Sequence, residues 1–373
     1  MKRAATALVR DVPEARAAAA AALRSAAGKL GRSPVAALVF ATPHYRRGAS
    51  AILDELKSAG CTNVAGGCAA GVLTDEGEAE DGRALALMAF AEDGIRAFHE
   101  PGADRLRGAL DGSPLGVIFP DPAEVDLAEL LNGFDSGGEF EPLVGGALSG
   151  GSEKAGHFQF AGDRVEKGGV GGAAIESEKL VYGVAHGCRP IGHPLVITRA
   201  HGHLVLGLAG KPPLEMLKDT LQDHARNGGP GGPVMAGIAM DSSKSPLNRG
   251  DFIVRNLIAM KSEEGEVLAV GTPVRTGQTL VFQLMEKSSA ILDMKEMVAG
   301  VKNDLGGMPA FGLYFNCRGR GKNLYGEKDH DVLAIRAGLG DFPLIGFFGN
   351  AEFAPVGKRN WLHNYTGVLV AAR

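Results

Sequence analysis

The apolar positions of this chain fall into short dense runs, each followed by an amphipathic stretch and then a glycine-rich turn. The run VAALVFATP at 35–43 predicts a strand. ASAILDELKSAG at 49–60 predicts a helix, with Ile52, Leu53 and Leu56 on one face. VAGGCAAGVLT at 64–74 reads as a strand entering a glycine turn, and ALALMAFA at 84–91 as a further strand. The same order returns as LGVIFPDP at 115–122, helix EVDLAELLN at 124–132, LVGGALSGG at 143–151 and VGGAAIE at 170–176. GGCAAG and GGALSG share the frame G-G-x-x-x-G. A third copy closes the chain: AFGLYFNCRG at 310–319, a helix near 328–338, LIGFFGNAEFA at 344–354 and TGVLVAA at 366–372. Three β-α-β-β units at unequal intervals predict a duplicated architecture and not a solenoid, whose period would be short and constant.

The stretch between the second and third units differs. LVIT at 195–198 and HLVLGLA at 203–209 flank the tip RAHG and predict a hairpin. PPLEMLKDTLQDHA at 212–225 predicts a helix, and NGGPGGP at 227–233 is the most linker-like segment. Strands are expected at 251–260, 266–271 and 279–285, then a helix near 286–303. The expected fold is α+β: repeated β-α-β-β units forming mixed, largely antiparallel sheets with helices outside. The expected division is an alanine-rich N-terminal helix within 1–32, one domain over 33–230 and another over 231–373.

Composition narrows the function. Lysine plus arginine number 39 against 43 acidic residues, a formal net charge of −4. A nucleic-acid surface needs a clustered basic excess, so no nucleic-acid partner is expected. Four cysteines, Cys61, Cys68, Cys188 and Cys317, form no C-x-x-C pair and no disulfide framework. The alanine-rich N-terminus is interrupted by Arg3, Arg10, Asp11, Glu14, Arg16 and Arg24, so it lacks the apolar segment of a secretion signal. No apolar stretch reaches the roughly 18 residues of a membrane span, and a cytoplasmic protein without a membrane partner is expected. Glycine, at 55 of 373 residues, is roughly twice as common as usual. It concentrates in the turns of the repeated units.

Cofactor motifs are missing. No phosphate-binding loop occurs, and GVGGAA at 169–174 lies in a strand-like run with no helix after it, so no cofactor is expected. His201 and His203 straddle a hairpin tip near His186, Cys188 and His193, where polar side chains are ordinarily solvated, so no metal is expected either. Cys317 ends the strand FGLYF and begins CRGRGKN. Arg318, Arg320 and Lys322 beside it would lower a thiol pKa or hold a carboxylate or phosphate; otherwise Cys317 is a small buried residue. Asn350 and Glu352 follow another strand, and His363, Asn364 and Thr366 precede the last one. Such polar residues cap turns locally, or, where their strands are neighbours, converge on a small polar metabolite. Arg255 and Asn256 interrupt FIV-RN-LIAM, and a buried arginine there needs an ion-pair partner or a ligand.

GFFGNAEFAP at 346–355, HNYTGVLV at 363–370 and NCRGRG at 316–321 resemble the C-terminal FIST domain. VAGGCAAG at 64–71 and RPIGHPLVITRAHGHLVLGLAGKPPLEML at 189–217 resemble the N-terminal FIST domain. The resemblance implies a sensory, ligand-binding protein of signal transduction, with amino acids as suggested ligands. It highlights Cys68, Cys317, Arg318, Gly319, Gly346, Glu352, His363, Asn364 and Thr366. The family's turn after its first cysteine favours Ser or Thr and then Gly-Glu; Ala69, Ala70 and Val72 stand here instead.

The resulting expectation is a ligand site at Arg255, Asn256, Cys317, Arg318, Gly319, Asn350, Glu352, His363 and Asn364. In it Arg318, with Arg255, takes a carboxylate, Glu352 an amine, and His363 or Asn364 orients the ligand. Signal output would lie in a separate protein. Two other readings stand beside it: an enzyme using Cys317 as nucleophile with His363 as base, and a protein-interaction scaffold.

Overall fold

Every apolar run named above is a strand in the computed structural model, which describes residues 4–92, 94–151, 156–247, 250–263 and 265–373. The repeat is longer than the runs that reveal it. The first copy is β1 (Ala4–Arg10), α1 (Ala15–Leu30), β2 (Ala36–Ala41), α2 (Ala49–Ser58), β3 (Asn63–Cys68), β4 (Gly71–Thr74), β5 (Gly77–Ala79) and β6 (Ala84–Phe90). The second is β7 (Ile95–Glu100), α3 (Ala103–Leu110), β8 (Gly116–Pro120), α4 (Leu127–Ser136), β9 (Leu143–Gly146), β10 (Phe158–Gly162), β11 (Arg164–Lys167) and β12 (Val170–Ile175).

The third copy opens with β13 (Leu180–His186) and is then interrupted by β14 (Cys188–His201), β15 (Leu204–Leu208), α5 (Pro213–Arg226), β16 (Val234–Ala239), β17 (Phe252–Ser262), β18 (Gly265–Val270) and β19 (Thr279–Met285). It resumes as α6 (Lys287–Leu305), β20 (Phe311–Cys317), α7 (Lys322–Tyr325), α8 (His330–Leu339), β21 (Leu344–Gly349), β22 (Glu352–Pro355), β23 (Asn360–His363) and β24 (Thr366–Ala372). Two compact units result: one up to Ala185 together with Met294–Arg373, the other His186–Asp293. The glycine–proline stretch 227–233 connects α5 to β16 inside the second unit.

The first unit holds three six-stranded mixed sheets, in the orders β1-β6-β2-β3-β10-β11, β23-β22-β9-β8-β12-β7 and β13-β24-β20-β21-β4-β5. At the heart of each lies one parallel pair, β2/β3, β8/β9 or β20/β21. Consecutive strands β3 and β4 do not form a hairpin with each other. β4 leaves to pair with β21, β10 leaves the second repeat to pair with β3, and β22 leaves the third to pair with β9. The three copies therefore exchange strands in a ring, and no repeat completes its own sheet.

Glycine makes the parallel pairs possible. Gly66, Gly145 and Gly346 sit opposite Val39, Ile118 and Tyr314. A Cβ at these glycines would stand 1.9, 2.0 and 1.7 Å from the carbonyl oxygen of that partner. No side chain fits there. One residue further along the first strand of each pair stands a phenylalanine, Phe40, Phe119 or Phe315. With Phe347 they form a cluster of rings, Phe40 and Phe119 having centroids 5.2 Å apart and Phe315 and Phe347 5.4 Å. This core draws side chains from all three sheets.

The other sheet faces are covered by helices: α1 and α2, α3 and α4, α6 and α8 each bury residues against strands of one sheet. In α1 the covering stripe is mostly alanine, with Ala18, Ala19, Ala22 and Ala26 fully buried, and Gly31 ends the helix in a left-handed turn. The segment 1–32 is thus more than the helix expected of it: Ala4–Arg10 is an edge strand along β6, while residues 1–3 lie outside those described. Its small and β-branched residues suit an edge strand as well as a helix, so pattern alone did not separate the two.

The second unit is a closed barrel in the order β14-β15-β18-β17-β16-β19. Gly202 turns β14 into β15, the expected hairpin. Among the described residues no helix is long and apolar enough to cross a membrane.

Candidate functional site

A parallel pair brings two strand ends side by side, and ligand sites favour such places. In the third sheet β20 ends at Cys317 beside Gly349 of β21, and Arg318 N–H donates to Gly349 O at 3.1 Å. The chain then runs Arg318, Gly319, Arg320 and Gly321 into α7. The two arginines of this loop have opposite fates.

Arg320 is fully buried. Its Nη2 and Nε lie 3.4 Å from Asp331 Oδ2, Nη2 donates to Tyr325 Oη at 2.5 Å, and Nη1 donates to Ala185 O at 3.4 Å. Tyr314 Oη and Asn316 Nδ2 also donate to Asp331 Oδ2, at 2.8 and 3.0 Å. Burial by itself would raise the Asp331 pKa; the Arg320 charge and these hydrogen bonds outweigh it and hold the carboxyl well below the usual range. Arg320 is thus a structural anchor of the loop.

Arg318 points the other way. It is exposed, and its guanidinium has no hydrogen-bond or ion-pair partner among the described residues. It lines a cavity of about 520 Å³ with Lys322 and Asn323 from α7, Phe348 from β21, Ala70 before β4 and Gly71 at its start, and Glu80, Asp81 and Gly82 between β5 and β6. The exchange of β4 and β5 into the third sheet is what carries the first repeat's Glu80 and Asp81 to Arg318. Glu80 is already engaged, both carboxylate oxygens accepting Lys322 N–H at 2.9 Å.

Behind the loop lies a buried cluster. Glu352 and His363 are cross-strand neighbours on β22 and β23. Thr366 Oγ1 donates to Glu352 Oε2 at 2.8 Å, and Glu352 Oε1 has no hydrogen-bond partner among the described residues. Burial raises the Glu352 carboxyl to about 8. Burial, reinforced by the Glu352 charge, pushes the Cys317 thiol to about 12. Of the two readings of Cys317, a thiol lowered by the arginine-rich loop and a small buried residue, the geometry fits the second: Arg320 is committed to Asp331 and desolvation dominates. A thiol held protonated is a poor nucleophile, and this argues against the cysteine-enzyme reading. His363 Nε2–H donates to Ala354 O at 3.1 Å.

The other expected residues have separate surroundings. Gly319 packs beneath the Tyr365 ring, where a Cβ would stand 3.0 Å from it. Asn350 is exposed and ties the third repeat to the second, donating Nδ2–H to Leu148 O at 3.0 Å. Asn364 is half-buried. Cys68 ends β3, buried, its thiol likewise raised to about 12 by desolvation. Arg255 and Asn256 lie on β17 of the barrel unit, not in the sheet unit that holds Arg318. Arg255 is buried and donates to Val254 O at 2.8 Å, while Asn256 is exposed.

Sequence reasoning missed Glu80, Asp81, Tyr325 and Asp331. The available signal was the acidic run from Glu76 to Asp81, whose spacing says nothing about what it will meet. A buried dyad, His157 Nδ1–H on Asp121 Oδ1 at 2.7 Å, was also missed. Its Nε2 accepts Gly151 N–H at 3.0 Å, so both ring nitrogens are engaged in structure.

Comparison with known families decides the lineage. Residues 35–211 match the FIST N domain and residues 213–355 the FIST C domain. The chain belongs to the FIST family. FIST domains are sensory domains of signal transduction. An uncharacterised Mycobacterium tuberculosis protein is 29% identical over 97% of both chains. One from Mycobacterium bovis is 30% identical over 96% of this FIST chain and 95% of its own.

Proposed function

We propose that this FIST protein senses a small polar metabolite carrying a carboxylate, an amino acid being the simplest such ligand, and passes the signal to a separate output protein. The cavity beside Arg318 supports this reading. It sits at the end of a parallel strand pair, its volume of about 520 Å³ suits a small molecule, and its guanidinium is unpaired. Arg318 offers a carboxylate a two-pronged hydrogen bond. Asp81 and the outer edge of Glu80 offer an ammonium group its counter-charge, and Lys322 and Asn323 complete the polar rim. Glu352, His363 and Thr366 hold the strand ends behind the loop, with Glu352 fully buried. Among the described residues the four cysteines form no disulfide with one another, which suits a reducing cytoplasm.

A thermal-shift screen of amino acids and organic acids, followed by calorimetry, tests the reading. A ligand at a hundred times its Kd adds about 2.7 kcal/mol of stability. Arg318→Ala should abolish that shift while leaving the unliganded midpoint unchanged, because the side chain makes no contact that folding needs. No hit in the screen, or an undiminished shift in the variant, overturns the proposal.

A further inference from the structure

Next to the Arg318 cavity lies a smaller one, of about 150 Å³, with its own chemistry. Four cationic side chains line it: Arg10 from β1, Arg83 just before β6, Lys322 from α7 and Lys328 from the turn before α8. None of the four is within ion-pair distance of a carboxylate among the described residues. Two of the lining side chains hold a buried polar atom without a partner among the described residues, Arg83 Nε and Glu78 Oε2. Glu78 is only 5% exposed. Its other oxygen accepts Val332 N–H at 3.2 Å, and its own N–H donates to Asp329 Oδ1 at 2.5 Å.

Leaving a buried polar atom unpaired is costly, so the identity of the missing partner is informative. Arg83 Nε can only donate. Burial, with the neighbouring charge of Asp331 acting in the same direction, raises the Glu78 carboxyl to about 8, so near neutral pH it too carries a proton to donate. An organic cation would pair with Glu78 at best and leave Arg83 Nε unpaired; an acceptor satisfies both. With Glu78 protonated, the four cations face three carboxylates, Asp11, Glu80 and Asp81, of which Glu80 is held by Lys322 N–H. The space of about 150 Å³ is many times the roughly 10–15 Å³ that a single water needs, room for one tetrahedral anion.

We propose that this cavity is an oxyanion subsite that takes a phosphate group through Arg83 and Lys328, beside the unpartnered carboxyl oxygen of Glu78. The group belongs either to free phosphate or to a phosphomonoester whose organic part extends into the larger cavity, which shares Glu80, Asp81 and Lys322 with this one. The subsite does not depend on the carboxylate reading of Arg318.

Calorimetry and ³¹P NMR on the full chain with inorganic phosphate, and in parallel with glycerol 3-phosphate, test it. Saturable binding is expected, weakened about tenfold or more by Arg83→Ala and by Lys328→Ala, the loss expected for a charge-assisted hydrogen bond. Glu78→Gln, which keeps a donor, should retain binding. Lys328 is exposed, so that variant reports on the anion and not on folding. Equal affinity for the two probes identifies free phosphate, and tighter glycerol phosphate identifies a monoester; either supports the subsite. No saturation with either probe, or affinities unchanged in both Arg83→Ala and Lys328→Ala, overturns it. Arg318→Ala should spare phosphate binding, so this proposal and the carboxylate reading fail separately.

Discussion

Arg320 and Asp331 form an ion pair in which neither side chain has any exposed surface, Nη2 standing 3.4 Å from Oδ2. The pair locks the loop after β20 onto α8 and, through Ala185 O, onto the end of β13. Removing one partner strands the other charge in the core. Arg320→Met is therefore expected to cost about 3–5 kcal/mol, read as a lowered midpoint in urea unfolding. A change below about 1 kcal/mol would show that the pair is dispensable.

Glu352 gives stability a pH dependence of the opposite sense to Asp331. Its folded carboxyl titrates near 8, against about 4.3 in an unfolded chain. Between those values the folded state holds a proton that the unfolded state has released, so stability falls as pH rises toward 8. Glu78, also raised to about 8, adds to the same slope. The thermal midpoint should drop across this window, and Glu352→Gln should flatten the drop. An unchanged slope in the variant would rule Glu352 out as its source. Asp331, held low, contributes stability that is present above the unfolded carboxylate pKa and lost only in acid.

Cys317 should be inert in the native state. With its thiol pushed to about 12 and the residue 7% exposed, iodoacetamide at neutral pH should leave it unmodified until urea opens the fold. Rapid native labelling, located by peptide mass spectrometry, would revive the nucleophile reading.

Gly145 is expected to tolerate no side chain. Its φ of 146° is rare for other residues, and an added Cβ would meet Ile118 O at 2.0 Å. Gly145→Ala should destabilise by roughly 2–3 kcal/mol, the upper range for overpacking, and Gly346→Ala similarly. Gly28→Ala, on an open face of α1 with nothing within 4 Å, should instead be neutral or stabilising by up to about 1 kcal/mol. Chemical unfolding of the three variants checks the contrast.

Much of the fold could be read from residue pattern. The runs at 35–43, 115–122 and 310–319 are the first strands of the three parallel pairs, and the helices at 49–60, 212–225 and 286–303 lie where their periodicity puts them. Burial on both faces makes such strands continuously apolar, and this gives them a strong signal. Edge strands such as β7 and β11 alternate weakly and were missed. Of the candidate site, Arg318 was legible because it follows a strand end in a glycine-rich loop. The different fate of Arg320, two residues on, was not, since it depends on Asp331 and Ala185 coming to the same point.

The amino-acid sequence by itself determined that the chain is a threefold duplication of strand, helix and glycine turn, with no membrane-length apolar run and no cofactor loop. These follow from local pattern: period, turn chemistry and charge. The ring of exchanged strands, the meeting of Glu80 and Asp81 with Arg318, and the buried state of Glu352 and Cys317 were decided only by tertiary structure. A strand such as β4 buries its apolar faces equally well in its own sheet or in a neighbour's. Which sheet it joins depends on long-range packing around Phe40, Phe119, Phe315 and Phe347, and that choice places the charges.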